Sequence, residues 1–455
     1  MGWVRDVGPA LVVFLFAMRQ LTAVRDPDTW WHIVTGRYVL QSWTFAGADP
    51  FNPRATEPFV LHQWMPDLVM YLLYKAGGLP AVAWSVPILS AGILMALYRS
   101  ARHRAPALVA ALVTTVAFLA MTGSISARPQ LVSILLTVVY VSAWLASAED
   151  LRPRWWLVPL SWLWANSHGF WFIGLAVGAS VLGGLLIEKV PLRQLRSLAG
   201  LLAAQLVVTL LTPLGPGLVK APFAVNAIKS YIQEWQRPDL LAPTGVCLLV
   251  LAGVVVLGWA RRSSATRWAH LAPFALAVSL GVAYARTVPL AAAILAPLCA
   301  TALTAQIGLR REAPTTRERR VLGAAPIAVL VAATALAGTV AARPADVPTA
   351  LDDELAALPR GTVICNDYGL GGWLLFAHPQ LQPLIDPRAE VFGSAYVKAH
   401  VDWTNGLPGT YQYPTRMGCS AALVSSSDAS FGTVRDVLHW RPVASSAGYT
   451  LLVPR

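Results

Sequence analysis

Apolar runs recur along almost the whole chain, and no other sequence feature constrains its fold as strongly. They lie at about residues 8–24, 64–76, 79–98, 106–122, 130–147, 155–165, 169–187, 197–214, 241–260, 268–285, 288–308 and 322–342. A helix needs about 20 apolar residues to cross a bilayer core of ~30 Å. With 56% hydrophobic and 13% charged residues, a soluble fold is excluded, because surface area grows almost as fast as volume. The pattern predicts a polytopic α-helical membrane protein.

The basic residues favour lipid rather than nucleic acid as the partner. The formal net charge is +12, but the cations stand in short loops between apolar runs. There the positive-inside rule and the attraction of anionic headgroups account for them. We therefore expect contact with membrane lipid and no nucleic-acid partner.

The basic loops also predict the topology. The loop 310–320 is the most basic, so we place it in the cytoplasm together with 261–267, 188–196 and 99–104. The segments 123–130, 166–169 and 215–239 then lie at the outer face, as does residue 286. The first span reads as uncleaved, because no small-residue cleavage site follows its apolar core. If the N-terminus is cytoplasmic, residues 64–98 must cross the membrane once, although two apolar runs lie there. The total number of spans must be odd, roughly eleven or thirteen.

Two segments are not membrane-like, and they define the predicted domains. Residues 1–342 form a multi-span domain with an extracytoplasmic loop at 25–63, and residues 343–455 form a soluble extracytoplasmic α/β domain. In this tail TVICN, AALVSS and GYTLLVPR resemble strands, and SFGTVRDVLHW resembles a helix. Cys365 and Cys419 could form a disulfide, but their spacing carries no signature that decides it.

The sharpest motif is Asp26-Pro27-Asp28-Thr29-Trp30-Trp31-His32, directly after the first span. Carboxylates at a membrane surface are costly unless they bind a metal, pair with cations or act as bases. Pro27 ends the first helix, Thr29 favours a new helical start, and Asp28 and His32 share a face of that helix. WWHIVTGRYVL is typical of a helix lying along the membrane surface. Alternatively, the two aspartates only cap this helix and pair with Arg25.

The motif and the loop around it resemble the GT-C superfamily of membrane glycosyltransferases. Members carry an acidic motif in the first extracytoplasmic loop, followed by a surface helix and a second span that begins with aromatics and prolines. Asp28-Thr29-Trp30-Trp31-His32 is similar to the corresponding stretch of oligosaccharyltransferase catalytic subunits and protein O-mannosyltransferases. The resemblance implies that Asp28 is the catalytic base. Thr29 stands where the latter have a second acid, and the tail has no WWD-type acceptor motif.

Other polar residues at the predicted outer face could serve a lipid-phosphate donor. Arg128 and Arg286 stand at span ends and could bind the donor phosphate, as could Lys220, Lys229 and Arg237; snorkelling to headgroups is the alternative. The turn with Asn166, Ser167 and His168 could bind substrate, with His168 in a catalytic role, or be an ordinary polar turn. Glu234 is either a second acid or a partner of Lys229 or Arg237. Asp367, Asp386 and Arg388 of the tail suit a structural role better.

Together these residues predict transfer of a sugar from a polyprenyl-phosphate donor to a glycan, lipid or protein acceptor. Asp28, Asp26 and His168 are the predicted catalytic residues, and Arg128, Arg286, His32, Asn166 and Glu234 the substrate-binding ones. Asp28, His168, Arg128 and Arg286 should line one cavity. A divalent cation, Mg or Mn, at Asp26 and Asp28 remains open. A lipid or solute transporter and a non-catalytic scaffold are the alternatives.

Overall fold

Long helices dominate the computed structural model, which describes residues 2–261 and 266–455. They are α1 (Gly2–Met18), α2 (Pro27–Ser42), α3 (Trp64–Arg102), α4 (Ala107–Met121), α5 (Gln130–Asp150), α6 (Leu157–Ala165), α7 (Phe172–Ile187), α8 (Leu192–Thr209), α9 (Pro243–Arg261), α10 (Trp268–Ala283), α11 (Val288–Gln306) and α12 (Thr316–Val340). Within the described residues, seven helices are long and apolar enough to cross a membrane: α3, α4, α5, α7, α9, α11 and α12, some together with an adjoining turn. The larger predicted number of spans stays a prediction.

Helix α3 joins two of the predicted apolar runs. It has 39 residues, a length of about 58 Å at 1.5 Å per residue, nearly twice a bilayer core. The backbone leaves helical geometry at Gly77 and Gly78, and Gly78 has φ 63° and ψ −156°. Glycine suits this position because it has no Cβ to clash at positive φ. Residues 64–98 are therefore two helical segments that meet at a kink.

Contacts divide the chain into two units. The helical unit comprises Met1–Thr22, Ala83–Leu218 and Glu234–Val340, and the mixed unit comprises Ala23–Val82, Val219–Gln233 and Ala341–Arg455. In the helical unit α11 is central, since it packs against α4, α5, α9 and α10 and is buried over most of its length. The first loop thus shares a unit with the tail.

Ion pairs join loops of the helical unit that the sequence places on one side of the membrane. Arg102, in loop 99–104, donates to Glu318, in loop 310–320, from Nε over 2.8 Å and from Nη2 over 3.1 Å. Arg267 donates from Nη2 to Glu188 Oε2 over 2.7 Å, which joins loops 261–267 and 188–196. Such pairing is what loops on a common side require.

The tail folds around a five-stranded sheet. Its strands are β3 (Val363–Asn366), β4 (Gln382–Pro383), β5 (Ala421–Ser425), β6 (Arg441–Ser446) and β7 (Tyr449–Val453), in the order β4-β3-β5-β7-β6, while β1 (Ala46–Gly47) and β2 (Phe59–Val60) form a hairpin in the first loop. The helices are α13 (Asp352–Ala356), α14 (Gly371–Ala377), α15 (Ser394–Thr404), α16 (Tyr413–Arg416) and α17 (Ala429–Gly432), which continues as a π-helical turn over Thr433–Val437. The three predicted strands are confirmed as β3, β5 and β7. The exposed edge strand β6 and the short β4 lack a clear sequence pattern.

A disulfide joins Cys365 of β3 to Cys419, just before β5, with the Cα atoms 5.7 Å apart. Both cysteines belong to a core cluster that includes Trp403, Tyr413 and Trp440. The structure therefore settles the pairing that the spacing left open.

Replacing both cysteines with alanine should lower the free energy of unfolding of the tail by about 2–4 kcal/mol, because the crosslink restricts the unfolded chain. The bond spans 54 residues of sequence. Thermal unfolding with and without dithiothreitol measures the effect. Cys247→Ala, a change at a free cysteine, is the control and should remain equally sensitive to the reductant. A wild-type protein whose unfolding ignores dithiothreitol would contradict the expectation.

Candidate active site

The motif after the first span forms the start of α2. Asp26 is the N-cap, and its Oδ1 accepts the backbone N–H of Asp28 over 2.9 Å. Pro27 occupies the first helical position, where its missing N–H costs nothing. The cap is therefore Asp26 and not Thr29, which corrects the expected helical start. Asp28 lies in the first turn, and its Oδ1 accepts the indole N–H of Trp31 over 3.3 Å.

Helix α2 is enclosed by protein over its first two turns. Every residue from Thr29 to Gly36 is buried. Trp30 packs on Phe376 of α14 with ring centroids 5.2 Å apart. No face of the first two turns is therefore left open, and the position of α2 along a membrane surface stays a prediction.

His32 forms a buried dyad with Asp67, a residue that the sequence analysis did not single out. Its Nδ1 lies 2.7 Å from Asp67 Oδ1, with side chains 3% and 0% exposed. The close crossing of α2 and α3 permits this contact, since a Cβ on Gly36 would collide with the Asp67 carbonyl. This crossing explains why a histidine, a glycine and a distant aspartate occur together.

The N-terminus of α2 lies against two turns of the tail. Pro27 packs on the stretch Gly369–Gly372, where a Cβ on Gly372 would approach the Pro27 carbonyl oxygen to 2.8 Å. The pKa of Glu390 is raised, first by burial and then by the neighbouring Asp386 and Asp28 carboxylates, while Arg388 opposes the shift. Asp28 thus belongs to an acidic neighbourhood built from both the first loop and the tail.

A buried arginine ties this neighbourhood together. Arg388 donates from Nε and Nη2 to the two Asp386 oxygens over 2.9 and 2.8 Å, and from Nη1 to Asp49 Oδ2 of the first loop. Its guanidinium also stacks 4.8 Å from the Phe51 ring centroid. Burial opposes the charge, but the two carboxylates dominate and raise the pKa of Arg388. This agrees with the structural role expected for Asp386 and Arg388.

In the helical unit two arginines converge on one carboxylate. Arg128 donates to Glu234 Oε1 over 2.5 Å and Arg286 to Oε2 over 2.7 Å. The Arg286 guanidinium lies 5.8 Å from the Trp235 ring centroid. These three side chains contribute two positive charges and one negative charge. We call Arg128, Arg286 and Glu234 the arginine cluster.

The arginine cluster lies where two long helices begin. Arg128 precedes α5, and Arg286 lies in the turn Ala285–Thr287 before α11. Gln130 Nε2 donates to the Arg286 carbonyl over 3.4 Å, so the two helix starts are neighbours. Helix N-termini attract anions through their unpaired N–H groups and macrodipole.

The turn with Asn166 and His168 is more enclosed than expected. Asn166 donates from Nδ2 to the Trp162 carbonyl over 2.8 Å and caps the end of α6. The Nδ1 of His168 lies 2.9 Å from Ser133 Oγ, and that oxygen also accepts the indole N–H of Trp164 over 2.7 Å. His168 is only 4% exposed. Its ring is held in a defined orientation at the start of α7.

The predicted site residues fall into both units. Asp26, Asp28 and His32 belong to the mixed unit, whereas Arg128, Asn166, His168, Glu234 and Arg286 belong to the helical unit. Each group is gathered locally by its own contacts. The single cavity expected for Asp28, His168, Arg128 and Arg286 stays a prediction.

The carboxylates available for a metal ion at the start of α2 are those of Asp26 and Asp28. In the part of the chain that the structure describes, no group of three or more His, Cys, Asp or Glu side chains is placed to hold an ion. Asp26 uses one oxygen for its cap, and Asp28 receives an indole donor. Mg²⁺ is often held by one or two carboxylates together with water and substrate phosphates, so the open question about Mg or Mn stays open.

Solved structures are similar in fold to this chain of apolar helices with a small sheet near its C-terminal end. ArnT from Cupriavidus metallidurans, a GT-C glycosyltransferase, has this fold. Its crystal structure bound to undecaprenyl phosphate superposes with a TM-score of 0.53 and 16% identity, over 99% of this chain and 98% of that one. Its apo structure gives 0.52 and 17%, over 99% and 97%. The predicted GT-C-like membrane fold is thus confirmed. No protein-family model and no curated protein matches the chain.

Proposed function

We propose that this protein is a membrane glycosyltransferase that takes a sugar from a polyprenyl-phosphate-linked donor and transfers it to an acceptor hydroxyl. The arginine cluster carries this proposal, because it supplies two guanidinium groups and two helix N-termini for a phosphate. The fold shared with ArnT supports it, since one ArnT structure holds undecaprenyl phosphate. The acceptor is a glycan, a lipid or a protein.

The chemistry follows from what each group can do. The bond between the anomeric carbon and the phosphate oxygen breaks, and polyprenyl phosphate leaves with the electron pair. Arg128 and Arg286 stabilise the charge on the leaving phosphate through charge-assisted hydrogen bonds. Asp28 accepts the proton of the acceptor hydroxyl. At the same time the oxygen of that hydroxyl forms the new bond to the anomeric carbon.

The other site residues act through these groups. Asp26 holds the start of α2 in place, and the His32–Asp67 dyad fixes the helix that presents Asp28. Asn166 and His168 shape the turn before α7 and contribute polar groups for substrate. A divalent cation would be held by Asp26 and Asp28 and would neutralise phosphate charge.

Weaker donor binding is expected when the arginine cluster loses a cation. Hydrogen bonds to charged groups contribute about 1.5–3 kcal/mol, so Arg286→Gln should weaken binding of undecaprenyl phosphate by about 10- to 100-fold. Glu234→Gln removes the competing carboxylate and should act in the opposite direction. Tryptophan fluorescence titration of the detergent-solubilised protein measures both.

The control for this series is Arg435→Gln, which removes an exposed arginine of the tail that pairs with Asp436 and should leave the affinity unchanged. Equal affinity of wild type, Arg286→Gln and Arg128→Gln would show that the arginine cluster does not hold the donor phosphate.

The proposal itself is tested by turnover. Purified protein in lipid nanodiscs is incubated with undecaprenyl-phosphate-linked sugars and a membrane extract as the acceptor source. Release of undecaprenyl phosphate that depends on the protein and is lost in Arg128→Gln/Arg286→Gln supports transfer. A protein that binds the lipid but never cleaves any donor would favour the scaffold alternative.

We expect the tail, residues 343–455, to lie outside the cytoplasm. The basic segment 310–320 leads into the start of α12, the last long apolar helix of the described residues. A disulfide such as Cys365–Cys419 persists in oxidising compartments. A reporter that becomes active only outside the cytoplasm, fused after Arg455, should be active. The same reporter fused after Arg311 is the control and should be silent. The reversed pattern would overturn the topology.

A further inference from the structure

The mixed unit contains a cavity that the proposed function does not use. Its volume is about 140 Å³, far more than the ~10–15 Å³ that a single buried water needs. The polar residues that line it are Tyr231, Asp367, Tyr368, His400, Thr404 and Asn405. They come from the segment Val219–Gln233, the turn after β3 and helix α15, so the cavity is built from parts distant in sequence.

His400 is the most informative residue of the lining. It is 1% exposed, and in the described structure neither of its ring nitrogens has a hydrogen-bond partner. Burial lowers the pKa of His400 to about 4, so the ring is neutral at physiological pH and offers one donor and one acceptor. Because leaving such groups unpaired costs about 1–3 kcal/mol each, a polar occupant of the cavity is indicated.

Two aromatic rings next to His400 also have buried polar atoms without a hydrogen-bond partner in the described structure. Trp403 and Tyr413 lie 5.5 and 6.0 Å from it, centroid to centroid. The indole N–H of Trp403 and the hydroxyl of Tyr413 are also buried without a partner in the described structure. In the described structure these unpaired polar groups thus surround His400, which is the one of the three residues that lines the cavity.

The remaining lining residues indicate which chemistry the occupant has. Tyr231 and Tyr368 supply aromatic surface, while Asp367 and Asn405 supply a carboxylate and an amide. The Asp367 carboxylate is held by the backbone N–H of Gly369 over 2.8 Å, and burial raises its pKa. Lysine and arginine are absent from the described lining, which disfavours phosphate and other anions. Aromatic surface combined with hydrogen-bond donors and acceptors suits a neutral sugar ring, which has apolar C–H faces and hydroxyl edges.

The cavity adjoins the start of α2 within the same unit. Tyr368 begins the turn Tyr368–Leu370, which contacts α2, and Pro27 lies against Gly369 and Gly372 of the same stretch. Ala389, which also lines the cavity, directly precedes Glu390, whose pKa responds to Asp28. A ligand held here thus lies in the same unit as the predicted base and beside a turn that contacts α2.

We propose that this cavity binds a neutral sugar ring of the acceptor, with His400, Asp367 and Asn405 hydrogen-bonding its hydroxyls and Tyr231 and Tyr368 packing on its faces. The proposal rests on the proposed transferase function and deepens it by naming a glycan-bearing acceptor. It assigns acceptor recognition to the tail and to the segment Val219–Gln233.

The test is direct binding, without donor, to the full chain in detergent. Methyl α-glucopyranoside, methyl α-mannopyranoside and methyl α-galactopyranoside serve as neutral probes, and inorganic phosphate serves as the anionic probe. Saturation-transfer NMR should detect at least one pyranoside at millimolar concentration. His400→Phe and Asp367→Asn should each weaken that binding at least tenfold, whereas the surface change Asp436→Asn should not.

Two readouts keep the test decisive. His400→Phe removes unpaired nitrogens and keeps a ring, and Asp367→Asn keeps the oxygen that caps Gly369, so both variants should unfold near the wild-type temperature. Pyranoside binding that is absent, or equal in wild type and both folded variants, would mean a cavity filled by water and would overturn the proposal. Phosphate binding lost in the same variants would overturn it as well. Because no donor is present, either result is independent of whether the protein transfers sugar.

Discussion

Asp28→Asn is expected to slow sugar transfer by about 10²–10⁴-fold, the usual contribution of a general base. The amide keeps an oxygen that can accept the Trp31 indole N–H, the contact that Asp28 makes now, so the local structure should persist. What it loses is the ability to take a proton from the acceptor hydroxyl. Initial rates with an undecaprenyl-phosphate-linked sugar, alongside the thermal unfolding temperature, separate the two effects.

Asp26→Asn is the matched control, since it makes the same chemical change two residues earlier. Asparagine caps a helix about as well as aspartate, so the cap on the Asp28 N–H should survive and the rate should stay near wild type. If Asp26 holds a metal instead, the rate falls and added Mg²⁺ or Mn²⁺ partly restores it. Equal rates for wild type and Asp28→Asn would leave Asp28 as an acid that merely favours the helix start.

Arg388→Leu should strongly destabilise the mixed unit. Removing one partner of a buried ion pair costs about 3–5 kcal/mol, a large part of the ~5–15 kcal/mol that stabilises a typical domain. Here the loss leaves the carboxylates of Asp386 and Asp49, 0% and 1% exposed, without their cation. Limited proteolysis and the unfolding temperature of the purified protein should both show it.

Two further variants serve as controls for that result. Arg435→Leu removes an arginine whose pair with Asp436 is exposed, so proteolysis should be unchanged. The triple change Arg388→Met, Asp386→Asn and Asp49→Asn removes all three charges and should recover part of the stability, because no isolated charge remains buried. An Arg388→Leu protein as stable as wild type would mean that the three groups contribute no net stability.

The sequence predicts the membrane class and the main strands because both depend on local patterns. Apolar runs and β-branched stretches are visible within a few residues, and β3, β5 and β7 follow them. The association of the first loop with the tail is different. It depends on the contact of Arg388 with Asp49, which lie 339 residues apart. The residues next to either of them form no pattern that would predict this pairing.

The site shows the same division between local and distant information. Capping by Asp26 follows from adjacent residues and was among the expected alternatives. The partner of His32 is Asp67, 35 residues away, and only the helix crossing at Gly36 brings them together. The pattern WWHIVTGRYVL resembles a one-sided helix, because a sequence does not reveal that the tail and α3 cover its other faces.

The separation of Asp49 and Arg388 in the sequence also determines when during synthesis the two residues can meet. At about 5–20 residues per second, the ribosome needs roughly 20–70 s to make the 339 residues that separate them. Until then Phe51 and the Asp49 carboxylate of the first loop lack their contacts with Arg388. A chain that stops early, for example after α12, would thus keep a first loop without these contacts. Full translation then becomes a condition for a stable N-terminal loop as well as for the tail.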